Sequence, residues 1–214
     1  MTDFFYQRRF TLFLISFFVL LFGSIAFPPA IRWEVEAILL LQNMLGSALL
    51  FLKQPKKEKM TIGVIIILGI LTKLNEAVVL VSAPFLFATI YLFYFGMISI
   101  RLFQDLRRQK VVGIETISGA FTGFILMGVF FSILFLSLQL VEPSAFSSSL
   151  GKVEFPDFLY FSFITLLTIG YGDITPTLEV SKKLVVMVGL LGHFYTVFVT
   201  AIVIGKYLSN RKGK

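Results

Sequence analysis

Residues 165–173 read TLLTIGYGD, from Thr165 to Asp173. Gly170 and Gly172 stand at alternate positions, where they permit the left-handed backbone angles that L side chains resist. A strand using such angles turns successive carbonyls toward one axis while Ile169 and Tyr171 point away. Just before it, residues 156–167 (PDFLYFSFITLL) open with Pro156 and Asp157, both suited to a helix's first turn. The aromatic run that follows is about half the length needed to cross a bilayer. The expectation is a short helix that enters a membrane from one side and stops midway, its partially negative C-terminal end favouring a cation. Non-helical backbone at that depth is tolerated only when buried in protein or lining a water-filled cavity. Residues 168–172 therefore decide the fold.

Working outward, the flanks are apolar enough to span. The reading predicts an all-α membrane protein with six transmembrane helices at about 10–27, 34–52, 60–74, 77–99, 116–141 and 182–205, and a re-entrant helix between the fifth and sixth. Pro28 and Pro29 close the first, a turn falls around Lys73, Asn75 and Glu76, and Glu142 with Pro143 closes the fifth. Three domains follow: a four-helix module at 1–99, an amphipathic interfacial linker helix at 100–113, and a pore domain at 114–214. The linker, RLFQDLRRQK, sets Leu102, Phe103 and Leu106 on one side and charges around the rest.

Composition agrees: 57% of the 214 residues are hydrophobic, 14% are charged and 26 are Phe, more apolar surface than one soluble core of this size buries. The net charge of +7 sits in short clusters between apolar runs, which excludes nucleic acid as the partner and points to membrane boundaries. With the N-terminus cytoplasmic, the inner side receives Arg8, Arg9, Lys53, Lys56, Lys57, Lys59, Arg101, Arg107, Arg108, Lys110, Lys206, Arg211, Lys212 and Lys214. The outer side receives only Arg32, Lys73, Lys152, Lys182 and Lys183, so both termini are expected in the cytoplasm. The basic tail SNRKGK has the character of a stop-transfer flank that meets anionic lipid. No small-residue cleavage pattern follows the first apolar run, which is read as retained. The chain has no Cys, so disulfides and thiolate metal sites are excluded.

One such strand supplies one side of an ion cage. Four chains around an axis would stack rings of carbonyls from Thr168, Ile169, Gly170 and Tyr171, with the Thr168 hydroxyl adding a further ring, in place of the hydration shell of K+. Because the segment occurs once, the expected partners are three identical subunits. Here the chain resembles the tetrameric potassium channel family, whose pattern T-x-x-T-x-G-Y-G-D is met by Thr165, Thr168, Gly170, Tyr171, Gly172 and Asp173, with Pro176 following. The resemblance covers about 114–208, and the first four helices match a voltage-sensor module only in number and placement. It implies a selectivity filter at 168–172, supported by Tyr160, Phe161, Ile164, Thr165, Leu167 and Asp173. Three departures stand out: Leu167 where a second Thr is common, Tyr160 and Phe161 for the usual Trp pair, and Ile164 where some members place a Glu that couples to the Asp. Tyr160 is then a candidate partner for Asp173.

The resemblance also places a bending glycine at Gly192, with Gly189 a turn earlier; close helix packing by small residues is the competing reading. His193, Thr196 and Thr200 follow at helical spacing, either facing a cavity below the filter or, for His193, bonded between helices. Ala201, Ile204 and Leu208 are candidates for a hydrophobic constriction. The fourth span, PFLFATIYLFYFGMIS, carries no charge, and Arg101 stands alone at its inner edge, so little voltage dependence is expected. Gln42 and Asn43 read as interhelical hydrogen-bonding residues. The functional expectation is a passive potassium channel; the alternatives are a non-selective cation channel and a non-conducting regulatory subunit. No cluster of acid, base and nucleophile suggests an enzyme, no cofactor is expected beyond K+ as the permeant ion, and compactness suggests a prokaryotic plasma membrane.

Overall fold

The computed structural model describes residues 2–78, 84–108, 113–149, 151 and 153–212. The described chain is mostly helical: α1 (Thr2–Gln7), α2 (Arg9–Phe22), α3 (Arg32–Ser47), α4 (Lys56–Val78), α5 (Pro84–Arg108), α6 (Ile114–Val141), α7 (Phe155–Leu166) and α8 (Glu179–Lys212). Two short strands, β1 (Phe146–Ser148) and β2 (Ile174–Pro176), pair antiparallel, Ser147 facing Thr175. Among the described residues three stretches are long and apolar enough to cross a membrane: Arg9–Ala26, Ile114–Val141 and Glu179–Val199.

The chain divides into two compact units, Met1–Ser82 with Met97–Gly123, and Ala83–Gly96 with Phe124–Lys214. The division does not follow the boundaries expected near 99 and 113, because α5 and α6 each run unbroken from one unit into the other. In the first unit, Phe10, Phe13 and Phe17 of α2 are fully buried, as is Met44 of α3. Gly46 permits that approach: a Cβ there would meet the Ser16 hydroxyl at 2.9 Å, and Asn43 donates to the same hydroxyl at 3.0 Å. The interhelical role expected of Asn43 is thus visible, while the Gln42 side-chain oxygen is buried without a hydrogen-bond partner.

Two local expectations are corrected. The turn placed around Lys73, Asn75 and Glu76 does not occur, since α4 continues to Val78; polar residues do not break a helix, and no Gly or Pro intervenes there. The linker is no separate helix either, because α5 continues through Ile98, Arg101 and Leu102 to Arg108, and residues 109–112 lie outside the described set. Its charges are not all on a solvated face: Arg101 and Asp105 are only 5% and 4% exposed. They pair four residues apart at 2.6 Å, and Asp105 also faces Arg9 of α2 at 3.4 Å.

The second unit is built around α7. Phe135 of α6, Phe146 of β1, and Phe158 and Phe161 of α7 form an aromatic cluster with ring centroids 5.2–6.4 Å apart. Ile164, Leu166, Ile174 and Val188 extend this core toward β2 and α8. Each ring contributes apolar burial plus a favourable edge-on contact, so the cluster fixes the axis of α7.

Candidate functional site: the turn after the short helix

Helix α7 begins with a reciprocal cap. Asp157 accepts from the Glu154 amide at 2.8 Å, the Glu154 side chain meets the Asp157 amide in return, and Pro156 sits in the first turn. The helix is clamped between α6 and α8 at two glycines. Ser162, fully buried, donates to the Gly128 carbonyl at 2.8 Å, and a Cβ on Gly128 would fall 2.5 Å from the Phe163 ring. On the other side, a Cβ on Gly192 would lie 2.7 Å from the Leu166 carbonyl oxygen and 2.9 Å from its Cα. Gly192 therefore serves as the close contact between α8 and the C-terminal end of α7, and α8 passes through it as continuous helix.

Past Leu166 the backbone leaves the helix in an alternating pattern. Thr168, Gly170 and Gly172 have positive φ, of 59°, 57° and 81°, and Thr168 is the one non-glycine among the described residues to do so. A threonine there costs about 1–2 kcal/mol over glycine, so its surroundings must hold it. The holding bonds are the amides of Thr168, donated to the Thr165 carbonyl at 3.1 Å, and of Ile169 and Gly170, both donated to the Ile164 carbonyl at 2.8 and 3.3 Å. Ile164 is itself buried, and the Thr165 hydroxyl is turned back to the Phe161 carbonyl at 2.7 Å. The two glycines meet no atom within 4 Å of an added Cβ, so conformation and not crowding selects them.

Asp173 joins the exit of this stretch to three neighbours. Tyr160 of α7 donates its hydroxyl to one carboxylate oxygen at 2.7 Å, and the Ile174 amide donates to the other at 3.0 Å. The Ser149 amide, just past β1, donates to the Asp173 carbonyl at 3.0 Å. The phenol hydroxyl donates and the carboxylate accepts, which ties α7 to the exit of the turn. The β1–β2 pair and the Ser147–Thr175 hydroxyl bond at 2.9 Å complete the brace. The Tyr160–Asp173 pairing is the one expected from the sequence, whereas the β1–β2 part of the brace was missed, because FSSS opposite ITPT is too short to announce a strand.

In the single chain, Ile169, Tyr171 and Leu167 are 48%, 71% and 51% exposed, although all are large and apolar or aromatic. Behind the turn lies a cavity of about 350 Å³ between α7, β2 and α8, lined by Phe161, Ile164, Thr165, Thr168, Gly170, Gly172, Ile174, Pro176, Val185 and Gly189. Further along α8, His193 and Thr196 are exposed, with the Thr196 hydroxyl bonded to the Gly192 carbonyl at 3.0 Å; the Thr200 side chain, like those of Ile204 and Leu208, lies outside the described residues. Among the described residues no group of three or more His, Asp or Glu side chains gathers to hold a metal.

Residues 120–209, from the second turn of α6 to near the end of α8, match the sequence model of a family described as "Ion channel". The match covers a little under half of the chain and contains every residue of the turn and its supports. No curated protein and no solved structure matches the chain. Residues 120–209 are thus similar to ion-channel sequences, and apolar helices long enough to cross a membrane, Ile114–Val141 and Glu179–Val199, lie on either side of the turn.

Proposed function

We propose that this chain is one subunit of a potassium-selective channel, a homotetramer that conducts K+ passively with little or no voltage dependence. The observation that carries the reading is the alternation of left-handed angles at Thr168, Gly170 and Gly172 directly beyond the C-terminal end of α7. Backbone of that kind presents carbonyls in succession and has no purpose in a lipid-facing turn, where its polar groups would stay unpaired. Four copies would close Thr168–Tyr171 into rings of oxygens for a dehydrated K+, which is here the cargo and not a resident metal. The exposure of Ile169 and Tyr171 supports closure by neighbours, since one chain leaves about half of Ile169 and most of Tyr171 uncovered.

In this reading α2, α3, α4, α5, α6 and α8 cross the bilayer, α7 re-enters from outside, and both termini are cytoplasmic, in line with the asymmetry of Lys and Arg. Voltage sensitivity requires charges free to travel through the field, each worth about 2.3 kcal/mol per 100 mV. Along α5 before Arg101 there is no charge, and Arg101 is buried against Asp105. Single-channel recording of the purified chain in a planar bilayer, with K+ on one side and Na+ on the other, tests the proposal. A reversal potential near the K+ limit is expected; one near zero would reject potassium selectivity, and an absence of current would favour a non-conducting subunit.

A further inference from the structure

The junction of α1 and α2 has an unusual hydrogen-bond exchange. Nothing in the local sequence FFYQRRFTLF stops a helix, since it has neither Gly nor Pro, yet α1 ends at Gln7 and Arg8 adopts φ −103°, ψ 17°. In an unbroken helix the Phe10 and Thr11 amides would be donated to the Tyr6 and Gln7 carbonyls. Instead both are donated to Glu115 in the first turn of α6, at 3.1 and 3.4 Å, and the Thr11 hydroxyl is donated to the other oxygen of the same carboxylate at 2.5 Å. The Tyr6 carbonyl so released accepts from the Arg9 guanidinium at 2.7 Å. That guanidinium is seated over the rings of Tyr6 and Phe10, at 4.0 and 4.4 Å from their centroids, and faces Asp105 of α5. One carboxylate and one guanidinium thus stand in for two helical bonds, and a distant helix provides the N-terminal cap that α2 lacks locally.

We infer that the α1–α2 joint is a two-state element, bent when Glu115 caps α2 and straight when it does not, and that it positions the first turn of α6 and thereby sets how often the pore opens. Glu115 is the positioning residue. One further bond acts on the same helix face, between the Thr11 and Ser118 hydroxyls at 3.1 Å; the Thr122 hydroxyl lies 3.5 Å from the Phe10 carbonyl but gives its proton to the Ser118 carbonyl at 2.7 Å. Asp105 and Glu115 lie on either side of residues 109–112, so α5 and α6 both grip one joint. The coupling to opening rests on the channel reading; the two-state joint does not.

The chain has no native Cys, so a Phe4→Cys, Ile15→Cys pair can be spin-labelled specifically in the full chain in lipid nanodiscs; both sites are exposed. Glu115→Gln is expected to lengthen the label separation toward that of a straight helix, roughly 16 Å of axial rise for eleven residues. In K+-loaded vesicles the same variant should change flux per protein severalfold, whereas Ser118→Ala, which leaves both amide caps in place, should change neither readout. An unchanged separation in Glu115→Gln overturns the joint, and a changed separation with unaltered flux overturns its link to opening. Should Glu115→Gln not fold, Arg9→Gln decides the same question, because it leaves the Tyr6 carbonyl free to take back the Phe10 amide. Wild-type vesicles without K+ flux would refute the channel reading while leaving the separation to judge the joint.

Discussion

Replacing Gly192 with Ala separates two physical roles of that glycine by the sign of the effect. If Gly192 were kept for flexibility alone, Ala would stiffen α8 and add about 1 kcal/mol of helix stability per chain. The packing says otherwise: the added Cβ would stand 2.7 Å from the Leu166 carbonyl oxygen and 2.9 Å from its Cα, and both are backbone, which cannot rotate away as a side-chain tip can. Overpacking of this kind costs about 1–3 kcal/mol, so the net change should be a loss of 0–2 kcal/mol, roughly, and the strain falls on the residue two positions before Thr168. Gly189, one turn earlier, is the internal control, because a Cβ there meets nothing within 4 Å. We expect Gly192→Ala to lower the thermal midpoint in nanodiscs and to reduce K+ flux, and Gly189→Ala to leave the midpoint unchanged or raised. A Gly192→Ala protein that is more stable than the parent and still conducts would refute the contact reading and restore the hinge.

Gly170→Ala should abolish or severely reduce selective K+ flux, although its Cβ has open space, because φ of 57° costs an L residue about 1–2 kcal/mol in each chain; retention of the parent reversal potential would count against the alternation. Tyr160→Phe removes the donor to Asp173 and should shorten the time for which current persists after opening, read in single-channel records. Ser162→Ala removes the buried side-chain bond between α7 and the Gly128 carbonyl of α6 and should lower stability by about 1 kcal/mol, seen in thermal unfolding, with reversal potential preserved. The slope of open probability against voltage should be the same in Arg101→Gln as in the parent, since the charge is paired with Asp105; a slope that differs between the two would show that the charge moves in the field.

The sequence spoke clearly where a backbone demand has a residue signature. Gly170 and Gly172 announced their left-handed angles, and Pro156 with Asp157 marked the start of α7 within one residue of where it begins. Thr168 gave no such signal, because its positive φ is imposed by the Ile164 and Thr165 carbonyls and not by any preference of threonine. The turn expected at residues 73–76 failed because polarity was taken for a break, when only Gly, Pro or a cap interrupts a helix reliably. The joint at Arg8 failed in the opposite sense: its cause, Glu115, lies 105 residues from Phe10, a distance no local pattern can report.

The same distinction explains why Arg101 was misread as a lone charge at a membrane edge. Hydropathy sees a cation at the end of an apolar run, and the geometry adds Asp105 one turn on and Arg9 beyond it, two cations sharing one buried carboxylate. Removing Asp105 alone would leave both guanidiniums without that partner, a larger penalty than removing any one surface charge. A carboxylate shared this way ties the position of α2 to that of the end of α5 within their unit. On the channel reading proposed above, helices without a moving charge would still act on the pore, through the hold of α2 on Glu115 in the first turn of α6.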